Sequence, residues 1–265
     1  MKPAQITSRD NSLLRHARAV RDGKIHESIF IEGLRLCEEA LKSELKIEAV
    51  IYSERLAKKQ RAADLIHELE SLAEKSGAVS EKLLESISYT KTPQGIIALA
   101  SRPTIIEEEF KQRQPPTPLL VIMHSLNNPV NVGAILRTAE AAGVTGVIAT
   151  ANTADPFSPK SLRGAMGSAF RLPIWTDADY QRVIDWCRKQ SVQTVCADAR
   201  AAKTYTEIDW RQSAALIVGP ESTGLSADEI KAAGVAARIP MKGSTESLNV
   251  AVAAGIFLYE ASRQR

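Results

Sequence analysis

The chain has 265 residues, 44% of them hydrophobic and 25% charged, and 34 Lys and Arg against 31 Asp and Glu leave a net charge of only +3. That length suits one large or two ordinary domains, and that balance excludes a disordered chain. No stretch reaches the roughly 18 apolar residues of a membrane-spanning helix, and the charged opening segment lacks the apolar core of a signal peptide.

Three scattered cysteines, Cys37, Cys187 and Cys196, form no Cys-x-x-Cys pair. They read as packing thiols in a reducing cytoplasm, not as a disulfide frame or a zinc site.

In chain order, the first segment holds Lys2, Arg9, Arg15, Arg18, Arg21 and Lys24 against Asp10 and Asp22. A local basic stripe of this kind grips phosphates even when the whole chain is near neutral; the plainer reading is a solvated helix face. Residues 10–22 read as a basic helix, and IFIEG (29–33) reads as a strand entering a turn at Gly33. Residues 34–43 place Leu34, Cys37, Ala40 and Leu41 at helical spacing. IEAVIYS (47–53) is a predicted strand, and residues 63–77 a predicted helix with Gly77 as its C′ residue. A helix at 80–87 and a strand at GIIALA (95–100) complete a small α/β domain over residues 1–102. Residues 103–117 are rich in charge and proline; Pro115 and Pro116, with Pro118 just beyond, favour an extended linker.

From residue 118 to 265, short apolar strands alternate with helices, which predicts a mostly parallel sheet covered on both faces. The strands are PLLVIMHS, GVIAT, a short one near RLPIW, VQTVCAD, AALIVG and AARIPM; the helices are 131–144, 159–169, 178–191, 226–234 and 248–265.

Three segments here carry chemistry. In NNPVNVGAILRTAEAAGV (127–144), Asn131 sits where an N-cap is wanted and Arg137 follows six residues later. A helix N-terminus beside a guanidinium suits a phosphate or other anion. In LIVGPESTGLS (216–226) an apolar strand runs into a turn holding Glu221 and Gly224, with Ser226 as the cap of the next helix. Loops at the carboxyl ends of strands are where α/β sheets bind ligands. In IPMKGSTESLNVAVAAGIFLYEA (239–261), Ser247 and Asn249 flank Leu248 at the start of an apolar helix whose small residues permit close backbone packing. Taken singly, each segment also reads as ordinary structure: a capped helix, a strand-to-helix turn, a buried C-terminal helix.

Taken together, NxGxxxRTAxxxG, IVGxExxGLS and IPMxGxxxSLNVxVAAxI resemble the three motifs of the SpoU (TrmH-like) family of RNA 2′-O-ribose methyltransferases within the SPOUT superfamily. The similarity covers roughly residues 118–265. FIEGLRLCEEALKS (30–43) and TPQGIIALA (92–100) are similar to the small α/β substrate-binding domain often joined to these enzymes, which itself resembles an RNA-binding ribosomal-protein fold.

The resemblance implies an α/β fold: a C-terminal trefoil-knotted SPOUT methyltransferase domain (118–265) behind a smaller N-terminal α/β RNA-binding domain. It implies S-adenosylmethionine as cofactor, contacted at Val218, Gly219, Glu221, Gly224, Ile239, Met241, Ser247, Leu248 and Asn249. It also implies a homodimer whose first-motif and final helices form the interface, with the active site completed across it. Pro220 and Ala251 stand where the family commonly has Asn and Ser, which puts the hydrogen bonds of the cofactor loop in question.

The activity implied is methyl transfer to a ribose 2′-OH, the group that distinguishes RNA from DNA, with rRNA favoured over tRNA by the two-domain layout. Partners are then RNA and a second copy of the chain, with no membrane and no DNA. The residues implied in catalysis are Arg137, Asn131, Glu221, Ser247 and Asn249. The family often assigns the general-base role to the motif-one arginine, here Arg137. A charged guanidinium has no acceptor, so phosphate anchoring and charge stabilisation are its more natural task, with Glu221 as the alternative proton acceptor or orienter. Arg9, Asn11, Arg15, Arg18, Arg21 and Arg35 are the RNA-binding candidates by basicity and position. Competing readings are a catalytically inactive RNA-binding relative, a base-directed or tRNA methyltransferase, and a nicotinamide dehydrogenase; no GxGxxG follows a first strand to support the last.

Overall fold

The computed structural model describes residues 4–221 and 223–265; Lys2 lies outside them. The chain forms two compact units. One takes in the residues up to Pro103 together with Phe157–Arg171, the other Thr104–Pro156 with Leu172–Arg265.

The first unit contains β1 (Ala4–Ile6), α1 (Ser12–Arg21), β2 (Ser28–Glu32), α2 (Leu34–Leu41), β3 (Ile47–Ser53), α3 (Gln60–Leu72), β4 (Lys75–Val79), α4 (Glu81–Ile87) and β5 (Ile96–Ser101). The strands lie in the order β1-β4-β3-β5-β2, with β5 antiparallel to both neighbours and the other pairings parallel. The carboxyl ends of β1 to β4 therefore share one end of the sheet. Leu13, Leu14, Ala17 and Val20 of α1 pack with Leu84 and Ile87 of α4 over Phe30, Ile51, Ile97 and Leu99 of the strands. α2 and α3 also pack on the strands and on each other.

The second unit contains α5 (Glu107–Gln112), β6 (Leu119–Met123), α6 (Pro129–Ala141), β7 (Gly146–Thr150), then, after α7 (Pro159–Ala165) and α8 (Ser168–Arg171) of the first unit, β8 (Ile174–Ala178), α9 (Tyr180–Lys189), β9 (Gln193–Ala197), β10 (Lys203–Thr204), β11 (Ala214–Val218), α10 (Ala227–Ala232), β12 (Val235–Arg238) and α11 (Val250–Gln264). Seven strands lie in the order β10-β12-β9-β11-β6-β7-β8, all parallel. β6, β7 and β11 are buried along their whole length, as strands covered on both faces must be. Residues of α5 and α9 join one core with Leu120, Ile122, Ile148 and Ile217, and α11 packs on β11 and along α6.

The expected α/β alternation is present, and several boundaries differ. The helix expected to run to Gly77 ends at Leu72, and Gly77 lies inside β4, paired with Ala4 and Ile51. The short strand β1 supplies a partner that its basic surroundings do not advertise, and tertiary pairing overrides the turn preference of glycine. The extended linker expected over 103–117 instead contains α5, which stops at Gln112, before Pro115. The helix expected over 159–169 is broken by left-handed Met166 and Gly167. The three cysteines are buried free thiols, and burial pushes each up to about 12. No helix among the described residues is long and apolar enough to cross a membrane.

Phe110 of α5 is fully buried, with ring centroids 6.0 Å from Trp175 and 5.7 Å from Trp186. Phe110→Ala should therefore destabilise the second unit by about 3–5 kcal/mol, read by urea unfolding followed through tryptophan fluorescence. A loss under about 1 kcal/mol would make the segment a mere connector.

Candidate active site

The seven parallel strands aim their loops at one edge, and two of those loops meet there. β11 delivers Gly219, after which the chain turns back on itself: the Gly224 N–H donates to the Pro220 carbonyl at 2.9 Å. Gly224 adopts φ +66°, and a Cβ on Gly219 would lie 2.7 Å from Leu225 Cγ, so the two ends of the loop touch only because residue 219 has no side chain. Ser226 then caps α10 in a reciprocal box with Glu229. On the other side, β12 runs into the irregular stretch 239–248, and Asn249 caps α11, its Oδ1 accepting from Ala251 N at 2.9 Å and Val252 N at 3.4 Å.

Between these loops lies a cleft of about 610 Å³, within the ordinary range for small-molecule sites. All nine positions carried over as cofactor contacts line it: Val218, Gly219, Glu221, Gly224, Ile239, Met241, Ser247, Leu248 and Asn249. Its wall also includes Asp198, Arg200, Arg238, Glu246, Ala253 and Phe257, which motif matching left out. Asp198 follows the last residue of β9, so the rule that ligands sit at carboxyl ends of strands was the signal that reaches it. Asp198 Oδ1 holds Arg200 Nε at 3.3 Å, and Arg238 Nη1 donates to the Ala201 carbonyl at 2.6 Å.

The first-motif residues are arranged differently from expectation. The N-cap of α6 is Asn128, whose Oδ1 accepts from Val130 N, because Pro129 begins the helix. Asn131 instead lies inside the first turn of α6 and is buried: it is 6% exposed and its Oδ1 accepts from Asn249 Nδ2 at 3.2 Å. The same bond fixes its amide, and Asn131 Nδ2 is buried without a partner among the described residues. Arg137, six residues on, lies about 120° round the helix from Asn131. It is exposed, makes no hydrogen bond or ion pair among the described residues, and is not part of the cleft wall. One chain thus joins Asn131 to Asn249 and assembles Glu221, Ser247 and Asn249 round the cleft, while its own Arg137 stands outside.

Residues 118–259 match the SpoU rRNA Methylase family, and residues 15–98 match the MRM3-like substrate binding domain. The chain belongs to the SpoU rRNA methylase family. It is 32% identical to an uncharacterized tRNA/rRNA methyltransferase of Synechocystis, over 99% of this chain and 94% of the relative. It is 36% identical to the 23S rRNA (guanosine-2′-O-)-methyltransferase RlmB of Coxiella burnetii, over 78% of this chain and 84% of that one. Among solved structures, the S-adenosylmethionine-bound rRNA methyltransferase of Sinorhizobium meliloti superposes with a TM-score of 0.86 at 30% identity, covering 99% of this chain and 98% of its own. The SPOUT architecture and the two-part layout are those of this family.

The RNA-binding candidates divide by what their side chains already do. Asn11 caps α1, accepting from Leu13 N at 2.8 Å. Arg18 donates to the Arg9 carbonyl at 2.8 Å, and Arg21 pairs with Asp22 while reaching the Ser86 and Ser88 carbonyls at the end of α4. Arg9, Arg15 and Arg35 are exposed, and their guanidinium groups make no hydrogen bond or ion pair among the described residues.

Asn249→Ala should cost about 1 kcal/mol through the lost cap. Asn249→Asp should cost less, since a carboxylate still caps α11 and accepts from the unpartnered Asn131 Nδ2 once that amide rotates. Equal urea midpoints for the two variants would contradict this account of the pair.

Proposed function

We propose that the chain is an S-adenosylmethionine-dependent methyltransferase that modifies a ribose 2′-OH in ribosomal RNA, working as a homodimer in the cytoplasm. The observation that carries this reading is the cleft: two separate segments, the end of β11 with its loop and the stretch from β12 to the start of α11, bring every expected cofactor position to one surface. The donor set fits the group. The apolar side chains of Leu225, Met241 and Phe257 suit an adenosyl moiety, and the carboxylates Asp198, Glu221 and Glu246 suit a ligand with an ammonium and a sulfonium. Its relatives are named for the same chemistry on 23S rRNA.

When bound, the cofactor supplies a methyl group on a good leaving group, so the protein's task is alignment and proton removal. In this reading Glu221 accepts or orients the proton of the 2′-OH, and Ser247, with Asn131 behind Asn249, orients the target nucleotide. Asn249 shapes the cofactor pocket. Arg137 anchors the phosphate and stabilises charge from the neighbouring copy, because it does not face its own cleft. Val130 on α6 and Val252 and Tyr259 on α11 are large apolar side chains left 46%, 52% and 57% exposed on the two packed helices, which supports their meeting a second copy. The trefoil knot implied by the family belongs to the same reading.

Two experiments test it. Arg137→Lys keeps the charge and loses the planar fork, so methylation at saturating RNA should fall at least about tenfold; full activity would remove Arg137 from the site. Mixing Arg137→Ala with Glu221→Ala protein should restore about a quarter of wild-type activity if Arg137 acts across a two-fold interface, and none if it acts within its own chain.

RNA enters through the first unit in this reading, by Arg9, Arg15 and Arg35. Arg15→Ala and Arg35→Ala should each weaken RNA binding and lower the log–log salt slope by about 0.7–0.9. Arg18→Ala and Arg21→Ala should mainly lower the urea midpoint. The reverse pattern in a salt titration would reassign the RNA face.

A further inference from the structure

His124 is buried at the carboxyl end of β6, outside the cleft wall, and its backbone N–H and both ring nitrogens are engaged. Its backbone N–H donates to the Val218 carbonyl at 2.9 Å, one residue before Gly219. Its Nδ1 lies 2.9 Å from Thr150 Oγ1 at the end of β7, and its Nε2 lies 2.9 Å from Glu229 Oε1 on α10. The ring rests on Tyr180, centroids 4.3 Å apart, and the Tyr180 hydroxyl donates to the Glu229 carbonyl at 3.0 Å. Four other elements, β11, β7, α10 and α9, thus meet at this one residue at the end of β6, three of them at its imidazole.

With the ring proton on Nε2, the hydrogen bonds run in one sense from Ser125 to Glu229. Ser125 N–H donates to Thr150 Oγ1 at 3.4 Å. The Thr150 hydroxyl and His124 Nδ1 pair as donor and acceptor in the tautomer that leaves Nε2–H for Glu229. The second Glu229 oxygen accepts from Ser226 N at 2.7 Å and Ser226 Oγ at 2.8 Å. Burial pushes the Glu229 carboxyl up, but the bonds from Ser226 and His124 outweigh it and leave the group below its ordinary range. Ser226 closes the Gly219–Leu225 loop, and Ser125, in the left-handed region at φ 51°, opens the segment leading to α6. One side chain therefore ties the loop that carries Glu221 to the segment that leads to Asn131.

We infer that His124 is a positioning residue: through Glu229 it fixes Ser226, where the loop from Gly219 ends against Leu225, and so sets the affinity for the methyl donor without touching it. The inference rests on the cofactor reading proposed above. A loop pinned in advance loses less freedom when a ligand arrives, so releasing it should weaken binding more than turnover.

The test is calorimetric titration of the full-length protein with S-adenosylmethionine, alongside methyl transfer at saturating RNA. His124→Ala and Glu229→Gln should each raise Kd and KM for the donor about tenfold, the value of a hydrogen bond to a charged group, while kcat at saturating donor stays within about twofold. Gln at 229 retains a capping residue but cannot accept from both His124 and Ser226. His124→Gln, whose amide keeps an N–H donor, should recover most of the affinity, and the double variant should bind no more weakly than His124→Ala alone. Donor affinity within about twofold of wild type in folded Glu229→Gln and His124→Ala, even with lowered urea midpoints, overturns the inference. Should His124→Ala fail to fold, Glu229→Gln decides. No heat from the wild-type protein would overturn the cofactor reading and this inference with it, whereas a binding wild type with unchanged variants overturns the inference alone.

Discussion

Hydrogen bonding of β11 along its length between β9 and β6 is the constraint on which the rest of the second unit depends. All three strands are parallel, so their carboxyl ends lie at one edge, and β12 joins that edge beside β9. The cleft exists because the chain leaves β11 and β12 at neighbouring places and must turn there. Loops facing the other way would carry the same residues to separate surfaces. Helix α11 completes the arrangement from one face of the sheet, with Asn249 both ending the irregular stretch and meeting Asn131 of α6.

Polar groups at this edge divide between holding the backbone and facing the cleft. Ser226 with Glu229, and Asn128 and Asn249 as caps, satisfy helix N-termini that would otherwise leave N–H groups without acceptors. Glu221 and Ser247 are not spent in this way and are exposed in the cleft. The first unit shows the same division among cations. Arg18 and Arg21 bind backbone carbonyls within the unit, whereas Arg9, Arg15 and Arg35 present their charge to solvent. Basicity along a helix therefore overstates the surface available to phosphates. The same accounting explains Arg265, whose guanidinium collects the carbonyls of Thr117, Pro118, Trp210 and Gln212.

Much of this architecture was legible in the chain itself. Runs such as LLVIM, GVIAT and AALIV are too short and too apolar for surface helices, and their alternation with amphipathic segments leads directly to a buried parallel sheet. Local signals failed where the deciding partner was distant. Gly77 resembles a helix stop until β1 pairs with it, and Pro115 and Pro116 conceal the helix before them, which exists because Phe110 finds two tryptophans. Met166 breaks a helix in a conformation that its side chain does not favour.

By itself the sequence determined the alternation of elements, the family, and nine of the positions that stand beside the cleft, because strand periodicity and motif spacing are local properties. Tertiary structure alone decided that Asn131 is a buried partner of Asn249 and not a cap, that Arg137 stands outside the wall of its own chain's cleft, and that Asp198 joins that wall. It also decided that His124 gathers Thr150, Val218 and Glu229. Helix phase and strand order set which groups meet across more than a hundred residues of chain, and neither is written in the spacing of any one motif.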